Sequence, residues 1–394
     1  MKKNYKQFLN ILQNKNNIAI FWHESIDGDA IGSILSLGYI LEKLGKKVSY
    51  FSPDQPNPCF NFLSEIEKIK TNFDYATYDL LIFLDFSPYS RIKKFTMPPK
   101  KEKELSFRTE WNGMKNPGNK KKSLPISSIP SYFKSIPTVI IDHHLDSNDE
   151  AQLMIKDTTA SSNCERLLEM YQAIRPQHID AQVATYLYLG LLTDTGNLLY
   201  EKNSKRTIAH AKTLIDAGAD KASIIFHIYR NFSFNTFKFI QLILQRLSPY
   251  PNQVNLPPSF TCPAIFRGGG GWGGIIIVYS YYTQSELDEL ELWSNDVDYA
   301  LSLIQNITGN HIICLFKIYP DQIKCSLRSK DKYQDPNQKI INVWLIASQL
   351  NGGGHINAAG CSIQIHSNNE KETQKNIHTI LEKISQWISE QTKT

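Results

Sequence analysis

The chain reads as an α/β protein: a parallel-sheet N-terminal domain with helices on both faces, followed by a smaller α+β domain. Three observations predict this. Short apolar runs alternate with helical patterns over the first 90 residues, which is the rhythm of a parallel sheet covered by helices. The 394 residues exceed the usual size of one compact domain. A Pro- and Gly-rich break near residue 250 then separates two differently patterned regions.

In order along the chain, residues 17 to 22, 47 to 51, 79 to 84 and 137 to 141 read as strands. Between the first two, Ile31, Ile34, Leu35, Leu37, Leu41 and Leu44 recur at helical spacing, predicting a helix over 29 to 45. Residues 160 to 247 read as several consecutive helices. After the break, strands are expected at 274 to 280, 311 to 318, 321 to 327 and 361 to 366. Helices are expected at 340 to 350 and from about 370 to 390.

Two segments interrupt the pattern. Residues 96 to 136 carry Pro98, Pro99, Pro117, Pro125 and Pro130 with many Lys, Asn and Ser, the composition of a peripheral insertion. Residues 249 to 273 combine prolines with the run from Gly268 to Gly273, a linker. That run satisfies G-x-G-x-x-G, yet no strand leads into it and no helix follows, so dinucleotide binding is set aside. The expected domains are therefore 1 to 248, the linker, and 274 to 394.

The net charge is +5. Residues 91 to 122 alone hold eleven Lys or Arg against three acids, so the basicity belongs to the insertion and not to a groove along the fold. No stable duplex nucleic-acid partner is expected. Six cysteines are scattered singly, with no C-x-x-C pair to suggest zinc or a redox dithiol. No secretory pattern opens the sequence, and no apolar run is long enough to cross a bilayer. A cytoplasmic enzyme or binding protein is expected, with a homodimer left open.

The chemistry-bearing residues follow the apolar runs. His23, Asp27 and Asp29 follow the first, Asp85 ends the run from Leu80 to Leu84, and Asp142-His143-His144 ends the run from Thr138 to Ile141. Asp194 follows Leu191-Leu192-Thr193 and is grouped with the acids that end apolar strands, although it lies in the stretch read as helical. In a parallel sheet all carboxyl ends open on one edge, so these groups should converge. Carboxylates and imidazoles without thiolates suit Mn²⁺ first, with Mg²⁺, Co²⁺, Fe²⁺ or Zn²⁺ tolerated. So many donors fit two ions roughly 3.5 to 4 Å apart sharing one carboxylate. Near the C-terminus, Gly352-Gly353-Gly354-His355-Ile356-Asn357 could form a backbone anion nest, with His355 donating to the same phosphate. Arg328 offers a guanidinium suited to bidentate phosphate contact.

Together these motifs resemble the DHH phosphoesterases that carry a DHH-associated C-terminal domain. The resemblance rests on His23-x-x-x-Asp27-Gly28-Asp29, Asp85, Asp142-His143-His144, Thr193-Asp194-Thr195-Gly196, Ser326-Leu327-Arg328-Ser329 and Gly353-Gly354-His355-x-Asn357-Ala358-Ala359-Gly360. It implies an active site in the cleft between the domains. It also implies one Mn²⁺ on His23, Asp27 and Asp85, and a second on Asp29, Asp85, His143 and Asp194, with Asp85 bridging. Asp142 would orient a neighbouring histidine, and His144 would contact substrate. Arg328, Gly353, Gly354, His355 and Asn357 would bind substrate. Within the family the layout is similar to the nano-RNase/pAp phosphatases and the stand-alone cyclic-dinucleotide phosphodiesterases. The expected substrates are pApA and other short oligoribonucleotides, then pAp, with cyclic di-AMP as the alternative. RecJ-like action on longer single strands and a non-catalytic nucleotide-binding module are the competing readings.

Overall fold

The structure is a computed structural model that describes residues 2–23, 26–73, 77–85, 136–144, 151–174, 176–199, 204–250, 277–306, 312–329, 341–350, 352–354, 356–365 and 370–393. The insertion expected over 96 to 136 lies outside the described residues apart from Ile136, as does the linker beyond Tyr250. The chain divides into two compact units, Met1–Asn231 and Phe232–Thr394.

In the first unit, α1 (Lys2–Gln13) and β1 (Asn17–Phe21) lead to α2 (Gly28–Lys43), β2 (Lys47–Phe51), β3 (Ile69–Lys70), β4 (Leu80–Leu84), β5 (Thr138–Asp142) and β6 (Leu153–Lys156). Four helices follow: α3 (Asn163–Ile174), α4 (Ala181–Asp194), α5 (Ser204–Asp216) and α6 (Lys221–Tyr229). The six strands form one sheet in the order β3-β2-β1-β4-β5-β6, and every neighbouring pair is parallel. Strand residues alternate between two buried faces. Ile18, Ile20, Leu80, Ile82, Val139 and Ile141 join the core built with α1 to α4. Phe21, Phe51, Leu81, Phe83 and Ile140 face a second, aromatic cluster with Phe73 and Tyr78. Burial on both faces is why these strands read as continuous apolar runs.

The second unit starts with α7 (Phe234–Gln245) and β7 (Ser248–Tyr250), then β8 (Ile277–Thr283), α8 (Gln284–Glu289), α9 (Ser294–Gln305), β9 (Ile312–Ile318) and β10 (Gln322–Ser329). It ends with α10 (Val343–Gln349), β11 (Gly353–Gly354), β12 (Ala358–Gln364) and α11 (Glu370–Lys393). Its mixed sheet runs β11-β12-β10-β9-β8-β7. The division falls ahead of the boundary expected at 248 because α7 packs forward. Phe239, Ile240 and Ile243 bury against Val278, Tyr282 and Leu315. α10 and α11 cover the opposite face through Ile346, Ile377, Leu381 and Ile384. The strands β3, β6, β7 and β11 and the helices α1, α8 and α9 were not anticipated from the sequence.

Candidate metal centre

In the first sheet the strand order reverses between β1 and β4, and a ligand crevice opens at the carboxyl ends on either side of such a reversal. His23 follows β1, Asp85 follows β4 and Asp142 ends β5. The register pairs Phe21 with Phe83 and Leu84 with Ile141, so the three strand ends lie side by side. Asp85 has φ 62°, a left-handed conformation that a non-glycine residue rarely adopts and that concentrates at functional sites.

Two helices complete the cluster. Asp27 is the N-cap of α2, its side chain accepting from Ala30 N at 2.9 Å, and Asp29 lies in the first turn. Asp194 is the last residue of α4. It therefore ends a helix, as the helical stretch expected over 160 to 247 implies, and not a strand as its grouping with the other acids suggested; a helix buried on most sides shows an apolar run much like a strand's. Glycines bring α2 against α4. A Cβ on Gly190 would stand 2.3 Å from Cys164 Sγ and 2.6 Å from Asp29 Oδ1, and one on Gly32 would stand 2.2 Å from Tyr186 O. Only glycine permits this approach.

His143 Nε2 is the hub. It lies 3.2 Å from Asp85 Oδ1, 3.5 Å from Asp194 Oδ2 and 3.9 Å from Asp29 Oδ2. His23 Nε2 lies 3.7 Å from Asp85 Oδ2. Relative exposure is 0% for Asp142, 1% for Asp29 and His143, and 2% for Asp85. Ligand atoms group as His23/Asp27/Asp85, Asp29/His143/Asp194 and Asp85/His143/His144, within 4.8 Å in each group. The six residues expected to bind metal are thus brought together, with Asp85 shared between groups.

The groups around them set their orientation. His143 Nδ1 lies 3.4 Å from Ala160 O, which suits an Nδ1–H donor and leaves Nε2 to the carboxylates. Asp29 accepts from Asn163 N at 2.6 Å and Cys164 N at 2.9 Å, at the start of α3. Asp142 Oδ1 accepts from His144 N at 3.0 Å and lies 2.9 Å from His144 Nδ1. Ala160, Asn163, Cys164 and Gly190 escaped the sequence reading. Gly28-x-x-x-Gly32 was the one local signal of the helix contact.

Protonation follows from crowding. Burial, together with Asp85 and Asp194, pushes the Asp29 carboxyl well above its ordinary range. Burial also raises Asp194 to about 6, with His143 opposing and Asp85 adding. Burial disfavours charge on Asp85, but contacts with His143, His23 and His144 outweigh it and hold the carboxyl well below its ordinary range. Burial likewise opposes charge on His143, yet Asp194, Asp85 and Asp29 raise it to about 10.

A cation fits this donor set. Asp142 Oδ2 is enclosed with no aligned hydrogen-bond donor among the described residues, and Asp85 Oδ1 is buried with the ring nitrogens of His143 and His144 at 3.2 and 3.6 Å; carboxylate oxygens enclosed this way call for positive charge beside them. Cys164 is the nearby sulfur, but burial and Asp29 push its thiol well above the usual range, so it offers no thiolate. Oxygen and imidazole donors remain, as hard or borderline divalent ions prefer.

In the second unit, Arg328 lies on β10 with Nη2 4.0 Å from Asp298 Oδ1. β11 pairs with β12, Gly353 opposite Gly360. Gly354 has φ 134°, and a Cβ there would stand 2.5 Å from Ala358 O. Asn357 ties this turn to the end of β10, its carbonyl accepting from Ser329 N at 3.0 Å. His355 lies outside the described residues.

Comparison with known proteins agrees with this architecture. A DHHA1 domain model matches residues 278–390. The bifunctional oligoribonuclease and PAP phosphatase NrnA of Bacillus subtilis (strain 168) is 23% identical over 352 residues, covering 88% of this chain and 90% of that protein. The protein of the same name from Mycoplasma genitalium is 22% identical over 395 residues, covering 98% of this chain and 99% of that one. An exopolyphosphatase-related protein from Bacteroides fragilis shares the fold, with TM-score 0.72, 20% identity and coverage of 99% and 98%. The chain thus resembles the DHH phosphoesterases with a DHH-associated C-terminal domain.

Proposed function

We propose that this protein is a metal-dependent phosphoester hydrolase acting on short oligoribonucleotides and dinucleotides such as pApA, and on pAp. The observation that carries the reading is the convergence of His23, Asp27, Asp29, Asp85, His143 and Asp194 on one sheet edge, with Asp85 common to two donor groups. The relatives named above, matched over most of their length, support the substrate class.

Two Mn²⁺ ions would be held, one by His23, Asp27 and Asp85 and one by Asp29, Asp85, His143 and Asp194. When bound, such ions lower the pKa of a water and offset charge on the reacting phosphate. Asp142 holds His144 through Oδ1, so His144 can present a fixed imidazole face to substrate. Arg328 and the turn from Gly353 to Asn357, with His355, supply donors for a substrate phosphate. Recognition by a few phosphate contacts favours short substrates over strands that must be tracked. Among the described residues no helix is long and apolar enough to cross a membrane.

The test is turnover of pApA, pAp, cyclic di-AMP and a twelve-nucleotide RNA by the purified chain with Mn²⁺. Fast cleavage of pApA, lost in Asp85→Ala, is expected. Turnover that survives in Asp85→Ala overturns the shared-carboxylate assignment, and a preference for the twelve-nucleotide RNA overturns the substrate class.

A further inference from the structure

Behind the metal centre lies a dense group of buried polar side chains that the proposed reaction does not use. Glu165 on α3 has 0% exposure. Its Oε2 accepts from Ser161 N at 2.7 Å, and its Oε1 accepts from Thr207 Oγ1 at 3.1 Å and lies 3.0 Å from His210 Nδ1. Thr207 Oγ1 also lies 2.9 Å from Ser161 Oγ. Arg206 on α5 donates to Asp157 Oδ2 at 2.9 Å, Thr159 Oγ1 at 3.0 Å and Glu169 Oε1 at 2.8 Å. Asp157, Thr159 and Ser161 are thus gripped from α3 and α5.

That same stretch reaches the metal centre at two points. The Ala160 carbonyl faces His143 Nδ1, and Asn163 and Cys164 donate to the two oxygens of Asp29. His23 and Asp27 are carried by other elements: His23 follows β1, and Asp27 caps the first turn of α2.

We propose that Glu165 is a positioning residue. Through Ser161 it fixes the turn from 157 to 163, and through that turn it sets the orientation of His143 and Asp29. It therefore tunes cation affinity chiefly at the Asp29/His143/Asp194 group and reaches the His23/Asp27/Asp85 group only through Asp85, 3.2 Å from His143. The proposal rests on the two-ion reading above. Its physical basis is geometric: Glu165 presents two acceptor oxygens to donors arriving from different elements. Leucine keeps much of the bulk but removes both oxygens, so the Ser161 N–H and the Thr207 hydroxyl lose their shared acceptor group. The turn must shift to relieve this, and Ala160 and Asn163 shift with it.

The experiment is calorimetric Mn²⁺ titration of the full chain, with bound ions counted by electron paramagnetic resonance. Asp194→Asn and His23→Ala identify which step belongs to which group. Glu165→Leu is expected to weaken the Asp194-dependent step by roughly 10- to 100-fold and the His23-dependent step far less. Leu214→Ala, in the α5 core and outside the network, controls for lowered stability and should titrate as wild type. Unchanged steps in Glu165→Leu, or the same selective weakening in Leu214→Ala, overturn the positioning role. Wild-type protein that binds no Mn²⁺, or one ion abolished by His23→Ala, overturns the two-ion reading and the positioning role with it.

Discussion

Asp142 grips His144 twice through one oxygen: Oδ1 accepts the backbone N–H at 3.0 Å and lies 2.9 Å from Nδ1. The imidazole is locked to its own peptide, with Nδ1 the nitrogen committed to the carboxylate. His143, one residue earlier, takes its bearing from Ala160 instead. Asp142→Asn should preserve the contact geometry while weakening control of the tautomer. The expected result is a fall in kcat of about 10- to 100-fold with KM nearly unchanged, read by steady-state kinetics on pApA.

Asp85 combines a left-handed backbone with a central place in the cluster. Asparagine tolerates that backbone better than most residues. Asp85→Asn should therefore fold, with a lowered melting temperature at neutral pH because the carboxylate that His143 and His23 hold ionised is gone. Its turnover should fall at least about 10³-fold. Thermal unfolding measured beside activity separates the two effects.

Cation uptake should release protons. With His143 raised to about 10, its imidazole is charged in the metal-free site at neutral pH and must give up a proton to become a ligand. Asp194, raised to about 6, adds a second proton below that pH. Mn²⁺ affinity is expected to climb from pH 6 to pH 9. Calorimetry in buffers of different ionisation enthalpy should show net proton release near pH 7; an affinity flat across this range contradicts the charged His143.

Gly190→Ala should be severe. Its methyl would enter the space of Cys164 Sγ and Asp29 Oδ1. Overpacking of this kind costs about 1 to 3 kcal/mol, read as a lower urea midpoint. The displacement falls on Asp29, so Mn²⁺ binding should weaken more than the stability loss alone explains.

Much of this site was legible because its signals are local. Asp85 and Asp142 close runs of apolar residues, and a strand's end needs only its own neighbours to be seen. Asp29's supports were not legible, since Asn163 and Cys164 lie 134 and 135 residues away in sequence and act through backbone N–H groups that any residue possesses. The boundary between units was obscured for a related reason. α7 carries apolar residues at helical spacing whichever unit it joins, and its partners, Val278 and Tyr282, come later in the chain.

The glycine contact between α2 and α4 has one more consequence. Asp29 and Asp194 each sit on a helix, four residues or fewer from a glycine at the contact, so their separation is set by backbone against backbone. Such a gauge has little give, unlike a pair of carboxylates on loops. A cation held between them would be sized by the scaffold, so Ca²⁺, with bonds of roughly 2.3 to 2.6 Å, is expected to bind more weakly than Mn²⁺ when the two are titrated side by side.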